Sequence, residues 1–193
     1  TGSYSATADV TLLALYSHTE TNASVYALVT EAPADWEGSY VITFGKTNEL
    51  YALKGVAGTK KLESVSAGGA AAFSETGMTL NGETLSNVNS DYIFNVAANN
   101  GKFTVRNAAT GTYLASRGGY LYSYKTDTAN YDRWSFAIDA GVPTVSNAAS
   151  KTLPYLGFNA KNYFAISRTV NSEICLWKST GTTETTIYTT VIG

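Results

Sequence analysis

The sequence predicts an all-β fold built from one four-strand unit used three times, a β-trefoil. Three observations predict it. The chain carries 14 tyrosines, 17 glycines and only 15% charged residues, with abundant Thr, Ser and Asn, a composition suited to strands and turns. Marker residues recur at a fixed interval: Tyr92 and Trp134, Leu114 and Leu156, and Trp134 and Leu176 each stand about 42 residues apart. Nothing along the chain has the length and period of a long helix. The stretch AGGAAAF, Ala67–Phe73, is broken by its Gly-Gly pair.

The elements follow in order. Residues 7–16 read TADVTLLALY, a β-rich run, and end in the polar stretch SHTETNAS, which reads as a linker or loop. VYALVTEAP (25–33) is a second strand-like run closed by Pro33. The first repeat copy is GSYVITFGKTNELYALKG, Gly38–Gly55, followed by GMTLNGETLSN. The second begins at Asp91 with DYIFNVAANNGKFTVRNAATGTYLASRGGYLYSY. The third begins at Arg133, and its PTVSNAASKTLPYL aligns with FTVRNAATGTYL on a shared T-V-x-N-A-A core. Each copy holds about four short strands. Propeller blades also have four, but a propeller needs at least about four blades. Three copies therefore predict a barrel capped by hairpins. Thr110-Gly111, Gly118-Gly119 and Asn81-Gly82 are read as turn formers. The tail STGTTETTIYTTVIG is threonine-rich and reads as an extended connector or the first strand of a following module. This divides the chain into the end strand of a preceding module (1–17), a linker and entry strand (18–35), the trefoil-like domain (36–178) and a connector (179–193). The central domain is long enough to bury a real core.

Charge and composition remove several function classes. The net charge is −2 with a pI near 5.4, and Lys and Arg are scattered singly apart from Lys60-Lys61. Neither nucleic acid nor an anionic membrane surface is an expected partner. No apolar run approaches the roughly 18 residues of a spanning helix, so membrane insertion is not expected. No signal-peptide pattern opens the chain, and a processed or excised piece of a longer protein is expected. Cys175 is the single cysteine, so no internal disulfide forms; the apolar run Ile174-Cys175-Leu176-Trp177 predicts a core thiol. His18, the one histidine, sits in the polar linker, and no G-x-S-x-G is present, so a Ser-His-Asp engine has no footing. No set of zinc ligands clusters. Asp35 and Glu37 flank Trp36 on one solvated face, while Asp127, Asp132 and Asp139 are spread over loops; neither set forms a glycosidase pair. No enzyme activity and no cofactor is expected. Trp36, Trp134 and Trp177 are read as core anchors, with Trp134 and Trp177 in matching positions, and Asp132-Arg133 as a surface or hairpin salt bridge.

The stretch GGYLYSYK (118–125) carries the candidate chemistry. On a strand, Tyr120, Tyr122 and Tyr124 share one face. In the repeat alignment Met78 and Leu80, Leu121 and Ser123, and Phe164 and Ile166 are equivalent, and because two of the three pairs are apolar that face is assigned to the core. The tyrosines then lie on the other face, and Tyr163 takes the place of Tyr120 in the third copy. They either pack under a cap against the 125–131 loop with their hydroxyls in water, or form a platform for a ligand. Sugar rings offer C–H faces to aromatic rings, and their hydroxyls need polar partners such as Asn, Asp and Arg. Arg117, Asp127, Asn130 and Asp132 are near in sequence; Asn159, Lys161 and Asn162 flank Tyr163. The candidate ligand-binding set is Tyr120, Tyr122, Tyr124, Arg117, Asp127, Asn130, Asn159, Asn162 and Tyr163.

The succession of strand, N-x-x-T-G-x-Y-L, Gly-led strand, polar loop and W-x-F resembles the ricin-type lectin repeat family over Trp36–Lys178. The family's Gln-x-Trp is replaced by Asp132-Arg133-Trp134 and Cys175-Leu176-Trp177. The resemblance implies a sugar pocket in each copy made of an acidic residue, an aromatic and an Asn or Gln. Only the second copy supplies all three, as Asp127, Tyr122 or Tyr124, and Asn130. The Val56–Gly77 insertion implies a lost pocket in the first. TADVTLLALYS also resembles the closing strand of the small repeats in Listeria and Bacteroides surface proteins. Together these imply a monomeric, non-catalytic carbohydrate-binding module of a longer bacterial protein, secreted or at the cell surface, with a glycan or host or surface glycoprotein as partner. The alternative is a structural spacer or protein-binding adhesin domain without a sugar site.

Overall fold

The protein is described by a computed structural model over residues 13–21, 24–46, 49–147, 149–181 and 184–192. It is all-β. In chain order the strands are β1 (Leu13–Thr21), β2 (Tyr26–Leu28), β3 (Gly38–Lys46), β4 (Glu49–Leu53), β5 (Lys60–Lys61), β6 (Ala70–Ala72), β7 (Thr79–Asn81), β8 (Thr84–Ser86) and β9 (Phe94–Asn99). Then come β10 (Lys102–Asn107), β11 (Tyr113–Arg117), β12 (Tyr120–Tyr124), β13 (Trp134–Asp139), β14 (Val142–Asn147), β15 (Tyr155–Asn159), β16 (Tyr163–Ser167), β17 (Ile174–Ser179) and β18 (Glu184–Ile192). Three single-turn 3-10 segments are the only helical pieces among the described residues, and no helix there is long and apolar enough to cross a membrane.

The chain divides into two units, Thr1–Ala23 with Thr182–Gly193, and Ser24–Gly181. In the first, β1 and β18 pair antiparallel from Leu13↔Ile192 to Thr21↔Glu184. The linker expected from residue 18 onward is thus strand through Thr21, and His18 stands in β1 opposite Ile187. The threonine-rich tail is its partner strand. Residues 18–21 are polar and read as linker; the partner that makes them strand is far away in sequence. Residues 7–12, which carry most of the surface-repeat resemblance, lie outside the described residues.

The second unit holds the second and third sequence copies in matching form. In each, two six-residue strands pair as a hairpin (β9 with β10, β13 with β14). A single pair then hands over to the next strand, Arg106↔Tyr113 in one and Ser146↔Tyr155 in the other. A five-residue hairpin closes each run (β11 with β12, β15 with β16). The two runs meet at Phe103↔Trp134. β3 lies between β9 and β17 while also pairing with β4.

Alternation along β3 and β17 sorts their side chains between two cores. Tyr40, Ile42, Phe44, Ile174 and Leu176 join a large cluster with Phe94, Val105, Leu114, Leu121, Trp134, Val145, Leu156 and Phe164. Val41 and Trp177 face a smaller one with Tyr26, Met78, Leu85 and Tyr92. Trp134 and Trp177 are both buried but do not occupy equivalent places: they anchor different clusters, and Leu176 is the residue that shares Trp134's core. Their indole N–H groups are satisfied, Trp134 by the Leu114 carbonyl at 2.8 Å and Trp177 by Thr43 Oγ1 at 2.8 Å. Trp36 is half-buried and stacks on Phe136. Cys175 is partly buried against the smaller cluster, and burial pushes its thiol up.

The first copy departs from the other two. Leu121, Ser123, Phe164 and Ile166 are buried as expected. Their expected equivalent Leu80 is 46% exposed, and Met78 is buried outside any strand. The Val56–Gly77 insertion supplies the physical reason. β4 is paired by β6 from within it, and β7 and β8 form a separate hairpin attached through β2.

Candidate functional site

The β11–β12 hairpin fixes the tyrosine row. Gly118 and Gly119 both take positive φ, 59° and 80°, the geometry of a two-residue hairpin turn. Register then follows, with Arg117 opposite Tyr120 and Tyr113 opposite Tyr124. Leu121 and Ser123 point into the core, and Ser123 Oγ donates to the Gly58 carbonyl at 2.9 Å. The tyrosines face outward: Tyr120 is 45% exposed and Tyr122 and Tyr124 are half-buried.

These rings are not alike. Lys61 Nζ lies 3.1 Å from the centre of the Tyr120 ring, because β5 pairs along the outer edge of β12. Tyr122 tilts against Tyr124 (5.8 Å between centroids), and Tyr124 stacks on Tyr131 at 6.4 Å and 26°. Arg117 completes the patch. Its guanidinium sits 5.5 Å from the Tyr131 ring and donates to the Tyr124 hydroxyl at 3.4 Å. That hydroxyl keeps Arg117 above its ordinary pKa. Arg117, Tyr122, Tyr124 and Tyr131 therefore form one aromatic and cationic surface.

The loop after β12 is held by ionic contacts. Asp132 is fully buried, accepts from the Thr128 amide at 3.0 Å and its hydroxyl at 3.1 Å, and pairs with Arg133 at 2.8 Å. The pair expected for Asp132-Arg133 as a surface or hairpin salt bridge does form, but it is buried. Turning the chain from the loop into β13 buries both residues just before Trp134. Arg133 also grips both oxygens of Asp127, at 2.9 and 3.0 Å. Partial desolvation pushes the Asp127 carboxyl up, but the Ala129 amide and Arg133 outweigh it and hold the group below its ordinary range. Asp127 is thus engaged in holding the loop, and Asn130 is exposed beside it.

Asn159, Asn162 and Tyr163 lie at the β15–β16 turn and have other partners. Asn159 accepts from the Lys161 amide and stands opposite Tyr163. Asn162, at φ 62°, donates to the Tyr51 hydroxyl at 2.7 Å, which itself donates to Glu49. Phe158 stacks on Phe44 close by. The sequence set thus falls into a β11–β12 group and a β15–β16 group with separate supports.

Two adjoining cavities flank Tyr131. One of about 180 Å³ is lined by Ser116, Gly119, Tyr131, Ser150, Lys151 and Thr152. The other, about 490 Å³, is lined by Lys102, Ala129, Asn130, Tyr131, Arg133 and Ala149. Sequence reasoning missed Tyr131 and Ser116. Tyr131 closes the loop already noted in the sequence, but no repeat marker singles it out. The shared T-V-x-N-A-A core was the available signal. Asn147 from that core donates to the Tyr131 carbonyl at 2.7 Å, and the Ser116 amide donates to the same oxygen at 2.8 Å. Among the described residues, no group of three or more His, Cys, Asp or Glu converges on a metal-sized site. The chain matches no family model and no curated protein.

Proposed function

We propose that this chain is a non-catalytic carbohydrate-binding module of a secreted or cell-surface multidomain bacterial protein, built on a β-trefoil plan. The trefoil reading is supported by two strand runs with matching registers and by the about 42-residue sequence period. The observation that carries the binding reading is the joined surface of Arg117, Tyr122, Tyr124 and Tyr131, open beside two polar cavities. Flat rings meet the C–H faces of a pyranose, and the guanidinium and nearby hydroxyls serve its polar edge. Such a shallow site gives millimolar to micromolar affinity, roughly 4 to 8 kcal/mol. Several modules in one parent chain would raise the effective affinity.

A second reading, a structural spacer or protein-binding adhesin domain, has its own support. Asp127, the acidic group the lectin analogy needs, is spent on Arg133 and Ala129, and Lys61 covers Tyr120. A glycan array followed by fluorescence titration separates the two. The lectin reading expects a sugar whose binding is abolished by Tyr131→Ala and Tyr124→Ala while the fold persists. The Tyr131 backbone carbonyl keeps both its donors in the alanine variant, so folding should survive. Silence across all sugars with folded variants favours the spacer.

A further inference from the structure

We infer that the groove from Ser116 past Tyr131 to Lys102 takes an acidic oligosaccharide, one whose sugar rings carry carboxylates; this rests on the carbohydrate-binding reading above. Two independent observations point there. The first is the Ser116 hydroxyl. Ser116 is only 1% exposed, lines the smaller cavity, and its Oγ has no hydrogen-bond partner among the described residues. A buried hydroxyl without a partner carries a desolvation penalty that a bound hydroxyl or carboxylate oxygen would relieve. The cavity also presents Ser150 and Thr152, so its chemistry suits a polyhydroxylated ring. At about 180 Å³ it is smaller than the roughly 300 Å³ at the low end for drug-sized ligands, which fits one sugar unit.

The second observation is charge. Lys151 lines the smaller cavity and Lys102 and Arg133 the larger, whereas among the described residues no carboxylate lines either. Arg133 is already neutralised by Asp127 and Asp132. Lys102 donates to Ser135 Oγ, a neutral partner, and keeps its charge available. In a chain of net charge −2, Lys151 and Lys102 line the two cavities while the nearby Asp127 and Asp132 are held by Arg133, so the groove favours negative ligands. Tyr131 and Ala149 line both cavities, so a ring in the Ser116 cavity has its neighbour over Lys102 and Arg133.

The test is calorimetric titration of the whole chain with an oligogalacturonate, the uncharged galactose oligomer of the same length, and a polyglutamate peptide. The oligogalacturonate should bind, and more weakly as salt rises. Ser116→Ala should weaken it about five- to tenfold with no loss of thermal stability, since only an unpaired hydroxyl is removed. Lys102→Glu and Lys151→Glu should each weaken it about fivefold or more. Equal affinity for the uncharged oligomer or for polyglutamate overturns the inference, as does unchanged binding in Ser116→Ala. Tyr131-dependent binding of neutral sugars alone sinks this inference and leaves the carbohydrate reading standing. Failure of every glycan to bind sinks both.

Discussion

Asp127 ties acid stability to the geometry of the loop after β12. Its carboxyl is held below the ordinary aspartate range mainly by the Ala129 amide and Arg133, against the opposing effect of desolvation. A depressed folded-state pKa contributes stability above the unfolded value and loses it as pH falls through the folded value. The protein should therefore lose stability on acidification below the ordinary carboxylate range, and Asp127→Asn should flatten that part of the curve. Urea midpoints from about pH 5 down to about pH 2 read this directly; an unchanged slope in the variant would mean Asp127 is not the group involved. At this scale the sequence was half legible. Asp127 and Arg117 were named from proximity to the tyrosines. The burial of Asp132 was not, because an Asp-Arg pair in a polar loop looks solvated until the turn into Trp134 is drawn. The repeated asparagines were visible as a motif but not as a mechanism. Asn107, 1% exposed, donates to the Asp91 and Ile93 carbonyls and accepts from the Thr110 amide. Gly55 must lack a side chain because a Cβ there would meet Asn107 at 2.1 Å.

Hairpin turns and one bridging carboxylate govern the elements. The β9–β10 turn uses Asn100-Gly101 at φ 50° and 72°, and the matching β13–β14 turn uses Ala140-Gly141 at 47° and 79°. Asparagine tolerates the left-handed region and alanine does not, at a cost of about 1 kcal/mol. Ala140→Asn should raise stability by up to about 1 kcal/mol, read as a higher denaturant midpoint at constant m-value. Glu63 is the other control point. Its Oε1 accepts from the Leu121 amide at 2.8 Å and the Ile166 amide at 3.2 Å, joining β12 to β16 through the insertion. Bonds to a charged acceptor contribute about 1.5–3 kcal/mol, so Glu63→Ala should cost about 2 kcal/mol or more and Glu63→Gln less. Equal costs for the two variants would assign the effect to packing. The alternation in β12 was readable because period two is local. β5, only Lys60–Lys61, was not: its strand character comes from Tyr122 and Ser123, about 60 residues on.

For the whole molecule, the all-β class was the legible part; of the marker pairs about 42 residues apart, Leu114 and Leu156, and Trp134 and Leu176, share one core, whereas Tyr92 lies in the smaller cluster, away from Trp134. What escaped was set by contacts between distant residues. β1 and β18 lie at opposite ends of the sequence, and β7 and β8 are drawn to β2 rather than into a third matching run. The same closure makes a testable claim about the folding unit. β17 pairs with β2 at Trp177↔Leu28 and with β3 at Trp177↔Val41. Val25 and Thr180 extend the β2 pairing, the Thr180 amide donating to the Val25 carbonyl at 2.9 Å. The ends of the Ser24–Gly181 unit are thus tied to each other from within it, and both cores lie inside it. A two-stranded ribbon such as β1 with β18 is marginal by itself. A protein comprising residues 24–181 should therefore unfold in one cooperative step within a few degrees (about 4 °C, or roughly 1 kcal/mol) of the full chain. Coincident melting by tryptophan fluorescence and far-ultraviolet circular dichroism would bear this out. A broad or strongly lowered transition would mean that the ribbon is part of the cooperative unit and that closure by β2 and β17 is insufficient.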